Sequence, residues 1–544
     1  MYRIKDYAKD IKSIRTIAFI ISFLLSSSVL CHASDLTTSS SSKYYVAVEG
    51  DDNNPGTLDQ PFASWQKGID VAEPGDTIFI RGGTYYADPE INDRLGAHID
   101  KKNGTKDSMI CLFAYPGETP LLDASTLTNT TRQNLALYID ESDYWHIKGL
   151  QVRGVSQQGR TGWIAGILIQ NGSNNVIEHC TAFENEGIGI QIREDSEDNL
   201  LLNCDAYLNY DPSSNINGGN ADGFQVCYIP YRQGAPRENI LRGCRSWKNS
   251  DDGYDLWGNE GRVIFDRCWA FRNGTHRGDG YGFKMGKTSE PREEGIYRRI
   301  LTHCIGAENL TWNFNNSESD ALVKIYNCTA YRSKNFSGFD LTQDGHIMSG
   351  EIKNSISYHN LASDKLGNEI LDEYNDWNLP EVTVTDDDFV SLDVNLLNAE
   401  RKADGSLPEI NYLKPKAGSD LVDAGMDVGL EYYGTAPDLG AIESDFATGA
   451  IDLDLNKDKI KVFPNPSDSK RINVDLGNME SSQTAAIDIY DCNGKTVYQK
   501  KNIDASYGNQ RFISLDLSGL DSGIYILRYR NEFISQSCKL VMTN

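Results

Sequence analysis

The sequence predicts a parallel β-helix followed by a small β-sandwich, and a recurring six-residue phrase is the main evidence. The phrase begins with cysteine and usually ends in asparagine; its copies are CTAFEN from Cys180, CDAYLN from Cys204, CRSWKN from Cys244, CWAFRN from Cys268, CIGAEN from Cys304 and CTAYRS from Cys328. Successive cysteines are 24, 40, 24, 36 and 24 residues apart, a base period of 24 with two insertions. Such a period is typical of a solenoid. Because the runs inside it are short, β-type and broken by glycine and asparagine, the coils should be strands stacked about 4.8 Å apart.

The first element along the chain is a targeting segment, residues 1–33. Five basic residues lie among the first 15, and an apolar run covers 17–30. This run is shorter than the roughly 20 residues of a membrane-spanning helix, and Cys31-His32-Ala33 supplies a small-residue cleavage site. We therefore expect export with cleavage after Ala33, no membrane span, and a final location that is secreted, at the cell surface or periplasmic.

The second element is the β-helix itself, which we place at residues 34–450. Ten cysteines follow the targeting segment, an even number that in an exported protein can indicate disulfides. Stacked coils offer another interpretation, because cysteine also packs as a small buried hydrophobe. We favour an internal column of free thiols beside a ladder of asparagine amides, and bridges between stacked cysteines remain the alternative.

The third element begins at about Ile451, where the pattern changes. KVFPNP from Lys461, IDIYDCNGKTV from Ile487 and LDLSGLDSGIYILRY from Leu515 predict a small β-sandwich over 451–544. These motifs resemble the C-terminal sorting domains used by type nine secretion systems, which implies display at the outer surface or release. A sandwich that binds carbohydrate is the alternative.

The charge balance limits the partners of the chain. With 52 basic and 78 acidic side chains the formal charge is −26, so nucleic acid would be repelled. Residues 231–300 depart from this trend with 14 Lys or Arg against 10 Asp or Glu. This local excess is either an ordinary mixed surface or a basic lip around a site for an anionic ligand.

A second repeated pattern gathers acidic residues at one place. The sequence Gly, apolar, any residue, apolar begins at Gly223, Gly253 and Gly282, with steps of 30 and 29 residues, about one coil each. Stacking these segments places Asp222 beneath Asp252 and Lys284 above Asp255 on the same face. The predicted patch consists of Asp222, Asp251, Asp252, Asp255 and Lys284.

A cation is the simplest way to stabilise this patch. Four carboxylates so close together repel one another and cannot all stay ionised without a counter-charge. Calcium takes 6–8 oxygen ligands in irregular geometry, and the absence of His and Cys from the patch disfavours zinc or copper. We therefore expect Ca²⁺ to be bound by the four aspartates; ordinary turn aspartates on a β-helix are the alternative.

Three motifs then resemble a known family. GGNADGF from Gly218, RGCRSWKNSDDGYDLW from Arg242 and GDGYGFKMG from Gly278 are similar to the core of family nine polysaccharide lyases, over a likeness that extends from Tyr44 to Glu443. These are calcium-dependent, right-handed parallel β-helix enzymes that cleave pectin backbones. The resemblance implies that Asp222, Asp251, Asp252 and Asp255 hold the calcium and that Lys284 is the Brønsted base. The stretch GKTSEPREEG after the lysine departs from the family's shorter turn and puts the substrate in doubt.

The implied reaction is β-elimination from a galacturonic-acid-containing backbone, with removal of the C5 proton by a neutral lysine. One alternative is a polygalacturonase-like β-helix hydrolase, although its Gly-His-Gly and Arg-Ile-Lys signatures are missing. The other is a non-catalytic surface adhesin with a structural calcium. For the adhesin, Lys284 would be incidental.

The substrate is predicted as an acidic plant cell-wall polysaccharide, with rhamnogalacturonan I favoured and polygalacturonate close behind. The reasons are the net negative charge, which tolerates a less charged polymer better, and aromatic residues that could contact rhamnose. We expect a monomer. The candidate substrate-binding residues are Tyr228, Tyr231, Arg232, Trp257, Tyr281, Lys287 and Trp312.

Overall fold

A computed structural model describes the chain over most of its length. The described residues are 41–159, 164–213, 216–444, 461–463, 471–475, 485–490, 495–503, 512–520, 522–530 and 535–542. The predicted targeting segment and the predicted boundary at 450/451 lie outside these ranges. The chain divides into two compact units, Met1–Phe446 and Ala447–Asn544. Among the described residues, no helix is long and apolar enough to cross a membrane.

The larger unit is a parallel β-helix made of three long sheets. Sheet one contains Lys43–Val46, Thr77–Ile80, Ile110–Ala114, Trp145–Lys148, Val176–Glu178, Asn199–Leu202, Glu238–Arg242, Arg262–Asp266, Tyr297–Thr302, Leu322–Tyr326, Ser349–Lys353 and Ile370–Glu373. Sheet two contains Gly83–Tyr86, Pro120–Asp123, Gln151–Arg153, Thr181–Phe183, Asp205–Tyr207, Arg245–Trp247, Trp269–Phe271, Ile305–Ala307, Thr329–Tyr331 and Ile356–Tyr358. Sheet three contains Leu95–Asp100, Leu135–Asp140, Ala165–Gln170, Ile188–Arg193, Phe224–Cys227, Tyr254–Asp255, Phe283–Lys284, Phe314–Asn315 and Phe339–Asp340. The predicted fold class is confirmed.

The cysteine period sets the coil. Each cysteine immediately precedes a strand of sheet two, and the strands that follow them pair in parallel, as Thr181 does with Asp205. The six repeated cysteines are free and buried, so the packed-thiol prediction holds among the described residues. Their thiols donate to backbone carbonyls of neighbouring coils, as Cys204 Sγ does to Ile177 O at 3.3 Å. The column therefore fills the core without cross-linking it.

The asparagines form the predicted ladder at the corner between sheets two and three. The Nδ2 of each donates to the Oδ1 of the next, with 3.0 Å from Asn185 to Asn209, 2.9 Å from Asn209 to Asn249 and 3.1 Å from Asn249 to Asn273. The backbone N–H groups of these residues are bound by the same oxygens. The ladder thus satisfies buried polar groups that the turn would otherwise leave unpaired.

The glycines of the second pattern lie against this ladder. A Cβ at Gly223 would stand 1.9 Å from Ser246 Oγ and 2.8 Å from Asn249 Nδ2, so no side chain fits there. The next residue of each segment points into the core, where Phe224, Tyr254, Phe283 and Phe314 stack with ring centroids 4.7–5.1 Å apart. Burial of each ring stabilises the fold by about 1.5–3 kcal/mol and fixes the strand register of sheet three.

The N-terminal end of the core is covered by the helix Trp65–Val71. Ser64 caps it by accepting the backbone N–H of Lys67 at 3.1 Å. Trp65, Gly68 and Ile69 are buried, and a Cβ at Gly68 would meet the side chain of Ile78. The helix therefore closes the apolar interior of the first coil.

The outer face of sheet two is covered by the segment that follows the last coil. This segment contains the 3₁₀ turns Asp386–Asp388 and Val394–Asn398. Phe389 and Leu397 of the segment pack against Trp269 and Phe271 of sheet two in one cluster. An ion pair between Arg401 of this segment and Asp205 of sheet two, at 2.6 Å, adds to the contact. A third 3₁₀ turn, Gln343–Gly345, lies earlier, between two coils.

The smaller unit has two antiparallel sheets. One contains Lys461–Phe463, Arg471–Asp475 and Phe512–Asp516; the other contains Thr496–Ile503, Ala485–Tyr490, Gly523–Arg530 and Ser535–Met542. Ile472 and Leu515 from the first sheet share a hydrophobic core with Ile487 and Leu527 from the second. This arrangement agrees with the predicted small β-sandwich.

Candidate active site

Three of the predicted calcium ligands converge on the surface of sheet three. Carboxylate oxygens of Asp222, Asp252 and Asp255 all lie within 4.8 Å of one another. The three residues are 1%, 0% and 6% exposed, so little solvent screens their mutual repulsion. Such a group of buried carboxylates is unusual without a counter-charge.

The strand register produces this convergence. Gln225 pairs with Asp255, and Asp255 pairs with Lys284, across neighbouring strands of sheet three. Asp252 and Asp222 occupy the turn before their strands, where the backbone N–H of Asp252 donates to Asp222 Oδ1 at 3.1 Å. The glycine pattern therefore places these residues in the expected order.

Asp251 has a different role in the geometry. Its Oδ1 accepts the backbone N–H of Asp279 at 2.7 Å, and it does not belong to the group of three. It is nevertheless buried, and its charge acts on both Asp222 and Asp252. Asp251 thus flanks the cluster and holds the turn of the next coil, which contains Asp279.

Lys284 lies directly against the cluster. Its Nζ is 2.9 Å from Asp252 Oδ2, 3.9 Å from Asp255 Oδ2 and 3.7 Å from Asp279 Oδ2. The Nζ also stands 5.6 Å from the ring centre of Trp257 and 5.2 Å from that of Tyr281. The lysine is 8% exposed, so it is held at the floor of the site by carboxylates and aromatic rings together.

The charges of this group act strongly on one another. Burial, assisted by the neighbouring carboxylates, raises the pKa of Asp222 and Asp252 well above the ordinary value, and burial raises that of Asp251 to about 7. Burial also raises the pKa of Asp255, against the attraction of Lys284. For Lys284, burial alone would lower the pKa, but the carboxylates, led by Asp252, outweigh it and raise the pKa well above its usual range.

The residues present fit a hard cation. The cluster offers only carboxylate oxygens, and Asp252 Oδ2 is a buried atom that accepts no hydrogen bond of good geometry among the described residues. A single ammonium at 2.9 Å faces three buried carboxylates, so negative charge remains to be balanced. Asp222, Asp252 and Asp255 would hold Ca²⁺, with Asp251 beside them.

Two further residues belong to the site and were missed from the sequence. Gln225 Nε2 donates to Asp222 Oδ2 at 3.1 Å and to Asp255 Oδ2 at 3.3 Å, so it bridges the two carboxylates. Asp279 is the exposed carboxylate near Lys284. The glycine pattern could have revealed Gln225, because it occupies the position of Asp255 one coil earlier; Asp279 lies in a turn for which the pattern gives no register.

Trp257, Lys287 and Tyr228 line the same side of the site. Lys287 Nζ lies 5.1 Å from the ring centre of Trp257 and pairs with Glu318 at 2.7 Å. Tyr228 is half exposed, with the guanidinium of Arg193 5.3 Å from its ring centre. These aromatic and basic groups form an edge that could contact an acidic polymer.

The other substrate candidates are engaged elsewhere. Trp312 is stacked between Tyr281 at 5.2 Å and Phe336 at 4.0 Å, so neighbouring rings cover both of its faces. Tyr231 lies beneath Arg298 at 4.7 Å. Arg232 pairs with Glu197 at 2.7 Å. Stacking of a sugar on the faces of Trp312 is therefore not available in this conformation.

The unusual stretch after the lysine, residues 286–295, is anchored at both ends. The backbone N–H of Ser289 donates to Glu260 Oε1 at 2.6 Å, and Glu293 Oε2 accepts the N–H of Gly234 at 2.8 Å. Arg292 pairs with Glu369 at 2.7 Å on the other side. The insertion is thus a fixed part of the surface near Lys287.

The chain is similar to a known protein family and to several curated proteins. Residues 44–354 match the family described as the Pel9A-like, right-handed β-helix region. The chain belongs to this family. Pectate lyase L of Dickeya chrysanthemi is 31% identical over 424 residues, covering 76% of this chain and 93% of that protein, and pectate lyase PEL9 of Emericella nidulans is 31% identical, covering 69% and 93%. The predicted resemblance to family nine polysaccharide lyases is confirmed, and the protein is a polysaccharide lyase.

Solved structures agree with this assignment. The crystal structure of pectate lyase Pel9A superposes with a TM-score of 0.62 at 28% identity, covering 74% of this chain and 97% of that one. A rhamnogalacturonan lyase has a TM-score of 0.59 at 24% identity, over 70% and 98%, a likeness of fold alone. Residues 461–543 match the secretion system C-terminal sorting domain. The sorting-domain prediction is therefore confirmed, and this Pel9A-like lyase is secreted.

Proposed function

We propose that the protein is a calcium-dependent pectate lyase that cleaves the polygalacturonate backbone of pectin by β-elimination, with Lys284 as the base. The single observation that carries this proposal is the position of Lys284 Nζ, 2.9 Å from one buried carboxylate of a three-carboxylate cluster. The names of the relatives, pectate lyases at 31% identity, support the same substrate.

The elimination needs one base and one route for the leaving group. Lys284 must be neutral to act as the base, and a cation on the three carboxylates would favour that form by offsetting the charge that raises the pKa of Lys284. Neutral Lys284 Nζ accepts the C5 proton of a galacturonate unit, the C5–H electron pair becomes the C4–C5 double bond, and the C4–O bond breaks. The departing oxygen takes a proton from water. When bound, calcium would withdraw electron density from the uronate carboxylate, which makes the C5 proton more acidic and stabilises the developing charge.

The protein holds the base in a fixed place. Asp252 fixes the Nζ from below, while the rings of Trp257 and Tyr281 limit its motion at the sides. Asp279, which is exposed, faces the same ammonium from the solvent side at 3.7 Å. A positioned base of this kind typically contributes 10²–10⁴-fold to the rate.

Polygalacturonate is preferred here to rhamnogalacturonan I, although the sequence favoured the latter. The aromatic argument for rhamnose loses support because Trp312 has both faces covered and Tyr281 is buried. The edge of the site instead offers Lys287 and Trp257, and Arg193 lies beneath Tyr228. Basic groups near an acidic cluster suit a polymer that carries one carboxylate on each sugar.

Substitution of the lysine tests the proposed role. Lys284→Ala should reduce turnover at least a hundredfold, and Lys284→Arg should fail as well because a guanidinium stays protonated at usable pH. Lys365→Ala is the matched control. Lys365 forms a parallel β-bridge with Asp340 on the last strand of sheet three, and its Nζ pairs with the Asp340 carboxylate as that of Lys284 pairs with Asp252. Retention of more than about a hundredth of the rate in Lys284→Ala, measured on folded protein, would show that another group removes the proton.

A further inference from the structure

Each carboxylate of the acidic cluster has one oxygen that is held by the backbone. Asp222 Oδ1 accepts the N–H of Asp252 at 3.1 Å, and Asp252 Oδ1 accepts the N–H of Tyr281 at 2.8 Å. Asp255 Oδ1 accepts the N–H of Trp257 at 2.9 Å. The Oδ2 of each aspartate is therefore the oxygen left for a cation.

Side-chain nitrogens face these three Oδ2 atoms. Gln225 Nε2 stands 3.1 Å from Asp222 Oδ2 and 3.3 Å from Asp255 Oδ2. Lys284 Nζ stands 2.9 Å from Asp252 Oδ2. Oxygens that share one Ca²⁺ at about 2.4 Å lie roughly 3–3.5 Å from one another. The terminal amide of Gln225 is thus separated from two of the predicted ligand oxygens by the distance expected between two ligands of one ion.

The aspartates alone supply too few oxygens for calcium. Ca²⁺ takes 6–8 oxygen ligands, and the side-chain carbonyls of Asn and Gln are ordinary members of such sets. The three Oδ2 atoms give three ligands. Asp251, whose Oδ1 accepts the N–H of Asp279 at 2.7 Å, can add one more through its other oxygen. At least two positions are left, and the amide of Gln225 lies beside the cluster.

A half-turn of this amide would present its oxygen to the cluster. A primary amide has nearly the same shape when its oxygen and nitrogen are exchanged, so rotation about the Cγ–Cδ bond places Oε1 where Nε2 now stands. The N–H of Gln225 faces the carboxylates because it satisfies their negative charge. A cation shared by the same carboxylates repels the NH₂ group and attracts the carbonyl oxygen, so the reversed amide is then favoured.

Gln191 on the neighbouring strand can accompany this reversal. It pairs with Gln225 in the register of sheet three, and its Nε2 donates to Gln225 Oε1. The Oε1 of Gln191 is buried and has no hydrogen-bond partner among the described residues. If both amides reverse, Gln191 Oε1 accepts a hydrogen bond from Gln225 Nε2. The bond between the two amides is therefore kept while the oxygen of Gln225 turns to the cluster.

We propose that Gln225 is a calcium ligand through Oε1 and that Gln191 positions its amide. The inference rests on the proposed calcium-dependent function and adds a residue to the same site. Gln225 occupies the register position of Asp255 one coil earlier, so the two side chains lie on one face of the sheet. A neutral oxygen at this position adds a ligand without adding negative charge beside an acidic substrate.

Calorimetric titration of Ca²⁺ into the full-length protein is the first test. Gln225→Met keeps the length of the side chain and loses both polar atoms, so the Kd for Ca²⁺ should rise fivefold or more. Gln170→Met is the matched control and should keep the wild-type Kd. Gln170 lies two strands earlier on sheet three, where its Nε2 donates to a different carboxylate, Glu194 Oε2, at 2.7 Å.

Tb³⁺, a hard cation that also prefers oxygen, distinguishes a ligand from a hydrogen-bond donor. Trp257 and Tyr281 lie beside Lys284 and can excite its luminescence, and the difference between the decay rates in H₂O and D₂O counts the waters bound to the ion. Gln225→Met should bind one more water than wild type, since water replaces Oε1. Gln225→Glu keeps an oxygen and has no N–H, so it should keep the wild-type water count and bind Ca²⁺ at least as tightly.

An unchanged Kd in Gln225→Met would overturn the inference. A raised Kd with an unchanged water count would overturn it as well, because Gln225 would then act as a donor to the carboxylates. Weaker Ca²⁺ binding by Gln225→Glu has the same meaning and decides the matter if Gln225→Met fails to fold. Wild-type protein that binds no Ca²⁺ would overturn this inference together with the proposed calcium dependence, whereas the other results leave that function standing.

Discussion

At the scale of single residues, the acidic cluster opposes folding and so demands a functional reason. Asp222, Asp252 and Asp255 are buried, and each has a raised pKa, chiefly because burial disfavours the charged form. Replacing these carboxylates with neutral groups would relieve repulsion at no cost to the register, which depends on the glycines and the inner aromatic rings. Asp222 and Asp252 occupy the same position on neighbouring coils, with Asp255 beside them, and this arrangement supports the proposed cation site.

Calcium binding is the first prediction at this scale. Asp222→Asn or Asp255→Asn should lower the affinity for Ca²⁺ at least tenfold, because each removes a charged oxygen ligand. Asp279→Asn should change it little, since Asp279 is exposed and lies outside the group of three. Calorimetric titration of Ca²⁺ into the full-length protein measures this difference.

The same variants separate binding from stability. Without calcium, Asp222→Asn should melt at the wild-type temperature or above it, since one of three mutually repelling charges has gone. With calcium the order should reverse. If Asp279→Asn loses calcium binding while Asp222→Asn keeps it, the assigned ligand set is wrong.

At the scale of elements, the arrangement of the strands could be predicted from the sequence more fully than the geometry of the loops. The cysteine interval gave the coil, and the glycine pattern gave the pairing of Asp255 with Lys284, because both features repeat once per coil. The turn of Asp251 towards Asp279 could not be foreseen, since a side chain in a turn takes its direction from local backbone angles. The stack of Phe336 on Trp312 was also missed, because Phe336 lies in a loop outside the repeated phrase.

The asparagine ladder makes a prediction about stability. Asn249→Ala would leave the buried backbone N–H of Asn209 without its acceptor and would remove one hydrogen bond each from the side-chain amide of Asn209 and the carbonyl of Ala206. An unpaired buried N–H costs about 1–3 kcal/mol, so a clear fall in the urea midpoint is expected. Asn53→Ala, which removes an exposed amide bonded only to Asp51 among its described contacts, is the control and should stay at the wild-type midpoint.

Sheet one contains a pH-dependent ion cluster. His146 and Lys148 bind Glu178 at 2.8 and 2.7 Å, and these contacts, that of His146 foremost, lower the pKa of Glu178 from 4.5 to about 2. A depressed carboxyl pKa stabilises the fold above pH 4.5, and this contribution disappears as the pH falls towards 2. The shift corresponds to roughly 1–3 kcal/mol after allowance for partial exposure.

Urea unfolding of Glu178→Gln against wild type checks this. The two midpoints should differ at pH 6 and converge as the pH approaches 2. A constant difference across that range would mean that the variant loses packing rather than charge.

At the scale of the whole molecule, contacts distant in sequence close the β-helix. Asp205 on sheet two accepts two hydrogen bonds from Arg245, at 2.8 and 2.7 Å, and two from Arg401, at 2.6 and 3.1 Å, and Arg401 lies 196 residues later. Arg245 also donates to Ala399 O at 2.8 Å. This buried group ties the covering segment to the coils. The contact of Arg401 could not be predicted from the sequence, because Arg401 lies outside the repeat, whereas Asp205 and Arg245 occupy the same position of the repeated phrase in neighbouring coils.

The sorting domain is expected to be dispensable for catalysis. Every candidate catalytic residue lies in the unit Met1–Phe446, and residues 461–543 match the sorting family. Truncation at Ala450 should leave kcat within about twofold while changing where the protein is found in the producing cell. Assay of the purified, folded truncation decides this, and an inactive but folded protein would place part of the active site beyond Ala450.

The measurement that tests the central claim most directly is the ultraviolet absorbance of the product formed from polygalacturonate. Elimination leaves a C4–C5 double bond conjugated to the carboxylate, which absorbs, whereas hydrolysis leaves a saturated end, which does not. Wild-type protein with calcium should generate a steadily rising absorbance that a chelator abolishes, that added Ca²⁺ restores and that Lys284→Ala does not produce. Chain cleavage without absorbance, or an equal rise in the presence of the chelator or in Lys284→Ala, would contradict the account.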